Sequence, residues 1–154
     1  MSTKEKVYLD ANFLIYWCFP KTSEIKKRVR FLLAKLLKKY ELFISPLSFD
    51  EAWWGVKNEY NIKFKTNLSC YDEPIFSKLR DFTCKILLKV KIIQFFDSQE
   101  GIISTLQNIR EYKLSPRDAF HLTLMRNNQL TTIVTNDSQF INQQEKMGIK
   151  VISI

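Results

Sequence analysis

Four carboxylates stand where an apolar stretch gives way to a turn or a helix. Asp10 ends Val7-Tyr8-Leu9, Glu51 follows Leu42-Phe43-Ile44 and Ser45-Pro46-Leu47-Ser48, Asp118 follows Ser115-Pro116, and Asp137 ends Ile133-Val134-Thr135-Asn136. Taken singly, each reads as a helix-capping acid: Ser48-x-x-Glu51 and Ser115-x-x-Asp118 match the capping box, and Asp10 and Asp137 fit the cap position itself. A cap contributes about 1 kcal/mol, whereas two carboxylates held ~5 Å apart at an effective dielectric of about 20 repel by roughly 3 kcal/mol. If all four converge, capping does not explain them. A hard divalent cation such as Mg²⁺ or Mn²⁺ does, because it takes oxygen ligands and is held by a few carboxylates beside substrate phosphates. Such a cation polarises a phosphoryl oxygen and lowers the pKa of an attacking water, which is the chemistry of phosphodiester hydrolysis.

Alternating strands and helices must position these acids. Residues 7–9 read as a buried strand ended by Asp10, and Asn12 opens an apolar segment that runs as a short helix to Pro20. From Ser23, apolar residues recur at three and four positions up to Tyr40, a helical stripe with basic residues on its other face. Residues 42–44 suit a second strand, and Ser45-Pro46-Leu47-Ser48 turns into a helix that carries Glu51 in its first turn. Residues 61–73 show no clean period and read as the longest loop. A helix from Pro74 to about Leu88, a third strand over 91–95 and a helix over 101–112 with Ile102, Ile103, Leu106 and Ile109 on one side follow. Ser115-Pro116 starts the helix that bears Asp118, Ile133-Val134 suits a short buried strand, and a last helix over about 139–147 ends at Gly148 before a strand over 150–152. Strands alternating with helices predict a parallel sheet covered on both faces, with ligands bound beyond the strands' carboxyl ends.

The 154 residues, 45% of them apolar, suffice for one real core, so a single domain over residues 1–154 is expected. The net charge of +8 points to an acidic partner such as nucleic acid. Nearly all of it lies in residues 21–40, which hold eight basic residues and one acid. Cys18, Cys70 and Cys84 are odd in number and lack C-x-x-C spacing, which suggests neither a disulfide framework nor a zinc site. No apolar run approaches the roughly 18 residues of a membrane span, so a soluble, cytoplasmic protein is the expectation.

At these residues the chain resembles the PIN-domain ribonucleases, and within them the VapC-like toxins of toxin–antitoxin pairs. V-Y-L-D-A-N-F-L-I is similar to the family's first strand and acid, S-P-L-S-F-D-E-A to the segment bearing its glutamate, and S-P-R-D-A-F-H-L with I-V-T-N-D-S-Q-F to its closing pair. The resemblance spans the chain. It implies a three-layer α/β/α sandwich with a five-stranded parallel sheet, and metal-binding and catalytic roles for Asp10, Glu51, Asp118 and Asp137, with Asn12, Thr135 and Asn136 supporting the acids. It also implies Mg²⁺- or Mn²⁺-dependent cleavage of single-stranded RNA, a homodimer, and inhibition by a cognate antitoxin. Asp50 precedes Glu51, and helix neighbours point about 100° apart, so only one of the two faces the site; Glu51 is preferred because its longer reach and capping-box position match the family segment.

Other residues carry weaker signals. His121, one turn after Asp118, is expected on its helix's inner face, with a phosphate contact the lesser reading. Arg117 is equally suited to the scissile phosphate and to solvent. Trp17, Trp53 and Trp54 suit base stacking, though core packing is favoured for at least one of the adjacent pair. Lys26, Lys27 and Arg30, on the basic face, suit RNA phosphates or an acidic antitoxin. Asp97 is expected at the sheet edge without a metal. A haloacid-dehalogenase-type phosphotransferase needs a second Asp two residues after the first, where this chain has Asn12; a receiver domain needs a late lysine that Asp137-Ser138-Gln139 does not supply. A non-toxin RNA-processing nuclease and a PIN-like scaffold that binds RNA or protein without cutting remain as alternatives.

Overall fold

A computed structural model describes residues 4–96 and 98–154, so Asp97 and the first three residues lie outside the described part. Among the described residues the order is β1 (Glu5–Leu9), α1 (Ala11–Cys18), α2 (Ser23–Lys39), β2 (Tyr40–Ile44), α3 (Pro46–Phe64), α4 (Glu73–Leu87), β3 (Lys91–Ile92), α5 (Gln99–Tyr112), α6 (Pro116–Asn127), β4 (Thr132–Val134), α7 (Ser138–Met147) and β5 (Lys150–Ile152). All strand pairs are parallel, in the order β3-β2-β1-β4-β5. β1 is central. Val7 lies opposite Leu42 of β2, and Tyr8 opposite both Phe43 of β2 and Ile133 of β4.

Strand side chains alternate faces, and the alternation in β1 divides the core in two. Val7 and Leu9 join Phe13, Val29, Leu36, Leu42 and Phe82 on the side of α1, α2, α3 and α4. Tyr8 joins Leu122, Leu124, Ile133 and Phe140 on the side of α5, α6 and α7. The result is the three-layer α/β/α sandwich with a five-stranded parallel sheet. No described helix is long and apolar enough to cross a membrane.

The structure corrects four local expectations. α3 continues to Phe64, well into residues 61–73. Its last turns leave Ile62 and Phe64 exposed and so carry no apolar period, yet Asn61 closes them by holding Thr66 and Leu68 through its side chain while Lys65 turns left-handed at φ 51°. β3 is two residues long rather than five. Among the described residues it lies at the sheet edge, and its neighbour, β2, stops at Ile44, whose carbonyl accepts from Ile93 N at 2.9 Å before Pro46 starts α3. α5 turns Ile102, Ile103 and Leu106 outward and buries Gly101, Thr105, Asn108 and Tyr112. Thr105 and Asn108 bond Thr123 of α6, and Arg126 bonds Asn108 and the Tyr112 hydroxyl, so a polar face packs inward because it is fully partnered. Finally, Glu51 sits in the second turn of α3. The cap is Ser45, whose Oγ accepts from Ser48 N at 3.2 Å, and no acid lies in the first turn.

Candidate active site at the carboxyl edge of the sheet

The carboxyl ends of β1 and β4 bring Asp10 and Asp137 to the same edge, and a single hydroxyl links them. Thr135 Oγ1 donates to Asp10 Oδ2 at 2.6 Å and accepts from Asp137 N at 3.0 Å. Asp10 is 7% exposed, its backbone N–H still bonds Val134 O of β4, and its Oδ1 accepts from Ala11 N at 2.7 Å. Asn12 Nδ2 donates to Oδ2 at 3.4 Å. Asp137 caps α7 by accepting from Gln139 N. Asn136 turns elsewhere, its Oδ1 accepting from the backbone N of Ile154 at 2.9 Å.

Asp118 is the third residue of α6, and Ser115 caps that helix: Ser115 Oγ accepts from Asp118 N at 3.2 Å and donates to Asp118 Oδ2 at 2.5 Å. The reciprocal half of a capping box is missing, since the backbone N of Ser115 donates to Gln139 Oε1 instead. The Asp118 carboxylate is therefore not spent on the helix end.

Glu51 faces the same edge, while Asp50 is exposed. Its Oε1 lies 2.7 Å from His121 Nε2, and Arg117 Nη1 is 3.8 Å from Oε2. His121 is 1% exposed, and its Nδ1 lies 2.6 Å from the Tyr8 hydroxyl, which also meets Ser45 Oγ at 2.6 Å and Ser48 Oγ at 2.8 Å. Tyr8 donating to Nδ1 and Nε2–H donating to Glu51 is a self-consistent arrangement for the neutral imidazole. His121 is thus on the inner face of α6, as its spacing predicts, and is also the group that fixes Glu51. Tyr8 was not singled out by the sequence, although a tyrosine inside a buried three-residue strand must find a partner for its hydroxyl.

Burial, together with the charges of neighbouring acids, sets the proton affinities. Burial raises the Asp10 carboxyl above its ordinary range against the lowering effect of His121 and Thr135. Burial also raises Asp118, reinforced by the negative charges of Asp137 and Asp10. For His121, burial lowers the proton affinity, but the hydrogen bond to Glu51 and the charges of Asp10, Glu51 and Asp118 overcome it and leave the imidazole raised. Tyr8 is raised, chiefly by burial. Six ionisable groups, Tyr8, Asp10, Glu51, Asp118, His121 and Asp137, therefore form one electrostatic unit.

That unit has the chemistry of a hard-cation site. Its donors are carboxylate oxygens, two of them are raised by burial and by their neighbours' negative charge, and a cation would offset that strain. Among the described residues, Oδ1 of Asp118 and Oδ2 of Asp137 take no hydrogen bond. As the side chains stand, no three of the described His, Cys, Asp or Glu groups close on a common ion position. The donor set fits in kind, and Glu51 is the member most committed elsewhere, to His121.

The remaining candidates lie away from the acids or on the rim. Arg117 is half exposed beside Glu51. Lys26, Lys27 and Arg30 are exposed on α2, and Lys26 and Arg30 line a cavity at the end of α1. Neither Trp53 nor Trp54 is in the core, at 38% and 61% exposed; Trp53 bonds Thr83 of α4. Trp17 packs on Phe13 and Phe82.

Solved structures with this fold include VapBC2 of Rickettsia felis bound to a DNA fragment from its promoter. It is 19% identical, covers 96% of this chain and 98% of its own, and has a TM-score of 0.62. VapC20 of Mycobacterium tuberculosis, a toxin that cleaves the sarcin-ricin loop, is 13% identical over 89% of this chain and 94% of its own, with a TM-score of 0.62. A toxin–antitoxin complex from Klebsiella pneumoniae is 20% identical over 88% and 90%, with a TM-score of 0.55. No curated protein matches the chain significantly. The PIN domain family matches residues 7–146, over the whole span from β1 to α7 that carries the four acids, and the chain belongs to that family.

Proposed function

We propose that the protein is a metal-dependent endoribonuclease that hydrolyses phosphodiester bonds in single-stranded RNA and serves as the toxin of a toxin–antitoxin pair. PIN domains are generally nucleases, and the observation that carries this reading is the gathering of the acids at one sheet edge, where Thr135 bonds both Asp10 and Asp137 and His121 lies 2.7 Å from Glu51 and 3.9 Å from Asp10. Mg²⁺ or Mn²⁺ held by these four acids supplies positive charge at the phosphoryl group when bound. The chain's own residues do the positioning. Thr135, Asn12 and the Ala11 amide fix both oxygens of Asp10, Ser115 orients Asp118, and His121 holds Glu51, whose Oε2 is left to orient a water or the cation. Arg117 stands at the rim, where a guanidinium stabilises a phosphate.

The toxin part rests on the likeness to VapC20, a toxin, and to the Klebsiella toxin–antitoxin complex; a protein antitoxin is the proposed inhibitor, acting in the cytoplasm. A second copy of the chain is the proposed partner for α5, whose exposed Ile102, Ile103 and Leu106 form an apolar stripe. Expression should arrest growth, and co-expression of the neighbouring antitoxin gene should relieve it. Normal growth on expression of soluble wild-type protein would remove the toxin role. Degradation of an RNA pool by that same protein would then leave the non-toxin RNA-processing reading.

A further inference from the structure

The three tryptophans differ in what surrounds them. Trp17 packs on Phe13 and Phe82, and Trp53 packs on Phe49 and donates from Nε1 to Thr83 Oγ1 at 3.0 Å. Trp54 is 61% exposed, and among the described residues its ring meets no other aromatic and its Nε1–H bonds nothing. It stands three residues after Glu51 on α3, and side chains so spaced are surface neighbours with Cβ atoms about 5–6 Å apart. Helix residues step by about 100°, so the buried Ala52 and Val56 lie to one side of Glu51 and Trp54 lies about 60° round on the other, toward solvent. Glu51 meets His121 through Oε1 at 2.7 Å, and the half-exposed Arg117 lies 3.8 Å from Oε2. A strand held at the acids therefore has a guanidinium and an exposed indole beside Glu51.

The surroundings of the ring select its occupant. Its neighbours at three and four residues along α3 are Asp50, Glu51, Lys57 and Asn58, all polar. A protein partner buries contiguous apolar surface, such as the Ile102, Ile103 and Leu106 stripe of α5, and a lone indole among polar side chains does not supply it. Single-stranded nucleic acid suits it better, because its binders set an aromatic face for the base beside charged groups for the backbone. We infer that Trp54 stacks on the base next to the bond to be cut and so sets which bases are accepted there. The choice of RNA as the strand rests on the ribonuclease reading. Stacking reads the face of a base and not its hydrogen-bonding edge, so the selectivity it gives is graded, with the larger purines ahead of pyrimidines.

The test is fluorescence anisotropy with a labelled, mixed-sequence single-stranded RNA of about 12 nucleotides, in EDTA so that nothing is cut, over a range of KCl. Trp54→Ala should bind about tenfold more weakly, within the range for one lost stacked base. Its slope of log affinity against log salt should match wild type, because no phosphate contact is lost. Trp54→Phe should stay within about threefold of wild type, and Tyr71→Ala, an 83% exposed aromatic between α3 and α4, within about twofold. On an abasic strand of the same length, Trp54→Ala and wild type should bind alike. RNA should also quench the tryptophan emission of wild type and spare that of Trp54→Phe, a readout that does not depend on the folding of Trp54→Ala. Wild-type affinity in Trp54→Ala, an equal loss on the abasic strand, or no RNA binding by the wild type would overturn the inference. So would weaker self-association of Trp54→Ala with RNA binding intact, which would give the ring to a second copy of the chain. Because binding is read without metal, a wild type that stacks RNA on Trp54 but never cuts counts against the nuclease reading alone. Cleavage by a wild type whose binding does not depend on Trp54 counts against the stacking alone.

Discussion

His121 Nε2 lies 2.7 Å from Glu51 Oε1, and this contact ties α6 to α3 across the carboxyl edge of the sheet. Through Tyr8 it is anchored in β1, so the glutamate is aimed by a buried chain of hydrogen bonds and not by its own helix.

Replacing His121 by Ala strips one partner from a buried tyrosine and, among the described residues, the only hydrogen-bond partner from Glu51 Oε1. A cost of about 1–3 kcal/mol in denaturant unfolding is expected, the range for orphaned buried polar groups. In a double-mutant cycle with Glu51→Gln the two substitutions should be non-additive by at least about 0.5 kcal/mol. Additive effects would mean that the contact does not hold Glu51.

Thr135→Val keeps the shape of the side chain and removes both hydrogen bonds that link Asp10 to Asp137. Calorimetric titration with Mn²⁺ should show affinity weaker by about 10- to 100-fold, as when a group behind a metal ligand is lost. Unchanged affinity would assign Thr135 to folding alone.

The raised proton affinities of Asp10, Asp118 and His121 mean that the folded chain binds more protons than the unfolded chain across their titration range. By linkage, their stabilising contribution is complete below the ordinary values of 3.8 for the aspartates and 6.5 for the histidine. It is lost as pH rises through the raised folded values. In EDTA, Tm should therefore fall as pH rises above these ordinary values, and Asp118→Asn should flatten that fall. An unchanged slope in Asp118→Asn would show that the acids are not coupled.

Gly55 lies one turn beyond Glu51, and a Cβ there would come within 2.3 Å of Ile15 Cδ1 on α1. Gly55→Ala gains helix propensity of about 1 kcal/mol but forces apart the two helices that carry Glu51 and follow Asp10. A net loss of about 1–2 kcal/mol is expected by chemical denaturation. Stabilisation would show that Ile15 turns aside at little cost.

The strand-to-acid order was legible because β1, β2 and β4 are short, apolar and ended by polar residues, and the site follows from where parallel strands end. Helix geometry allows only one of Asp50 and Glu51 to face the site; reach and the capping-box match to the family segment favour Glu51, and although the capping box is absent, Asp50 is exposed while Glu51 meets His121. The capping-box reading of Ser48 and Glu51 failed because Ser45 and Pro46 offer an earlier start, which moves Glu51 to the second turn. The length of β3 depends on where its neighbour β2 stops, a fact absent from residues 91–95 themselves. The inward face of α5 is polar because Thr123 and Arg126 of α6 partner it, and no periodicity within α5 records that. The role of His121 required knowing that Tyr8 and Glu51, far apart in the chain, flank it.

The central claim, that these acids form one cation-dependent catalytic unit, is tested most directly by cleavage of a mixed single-stranded RNA pool with Mg²⁺ or Mn²⁺. Wild type is compared with folded Asp10→Asn and Asp118→Asn. The account predicts cleavage by the wild type, its loss in EDTA, and a fall in rate of at least about 100-fold in each variant, about 2.7 kcal/mol of barrier. Cutting by either variant at the wild-type rate, or an inactive wild type with both metals, would contradict it.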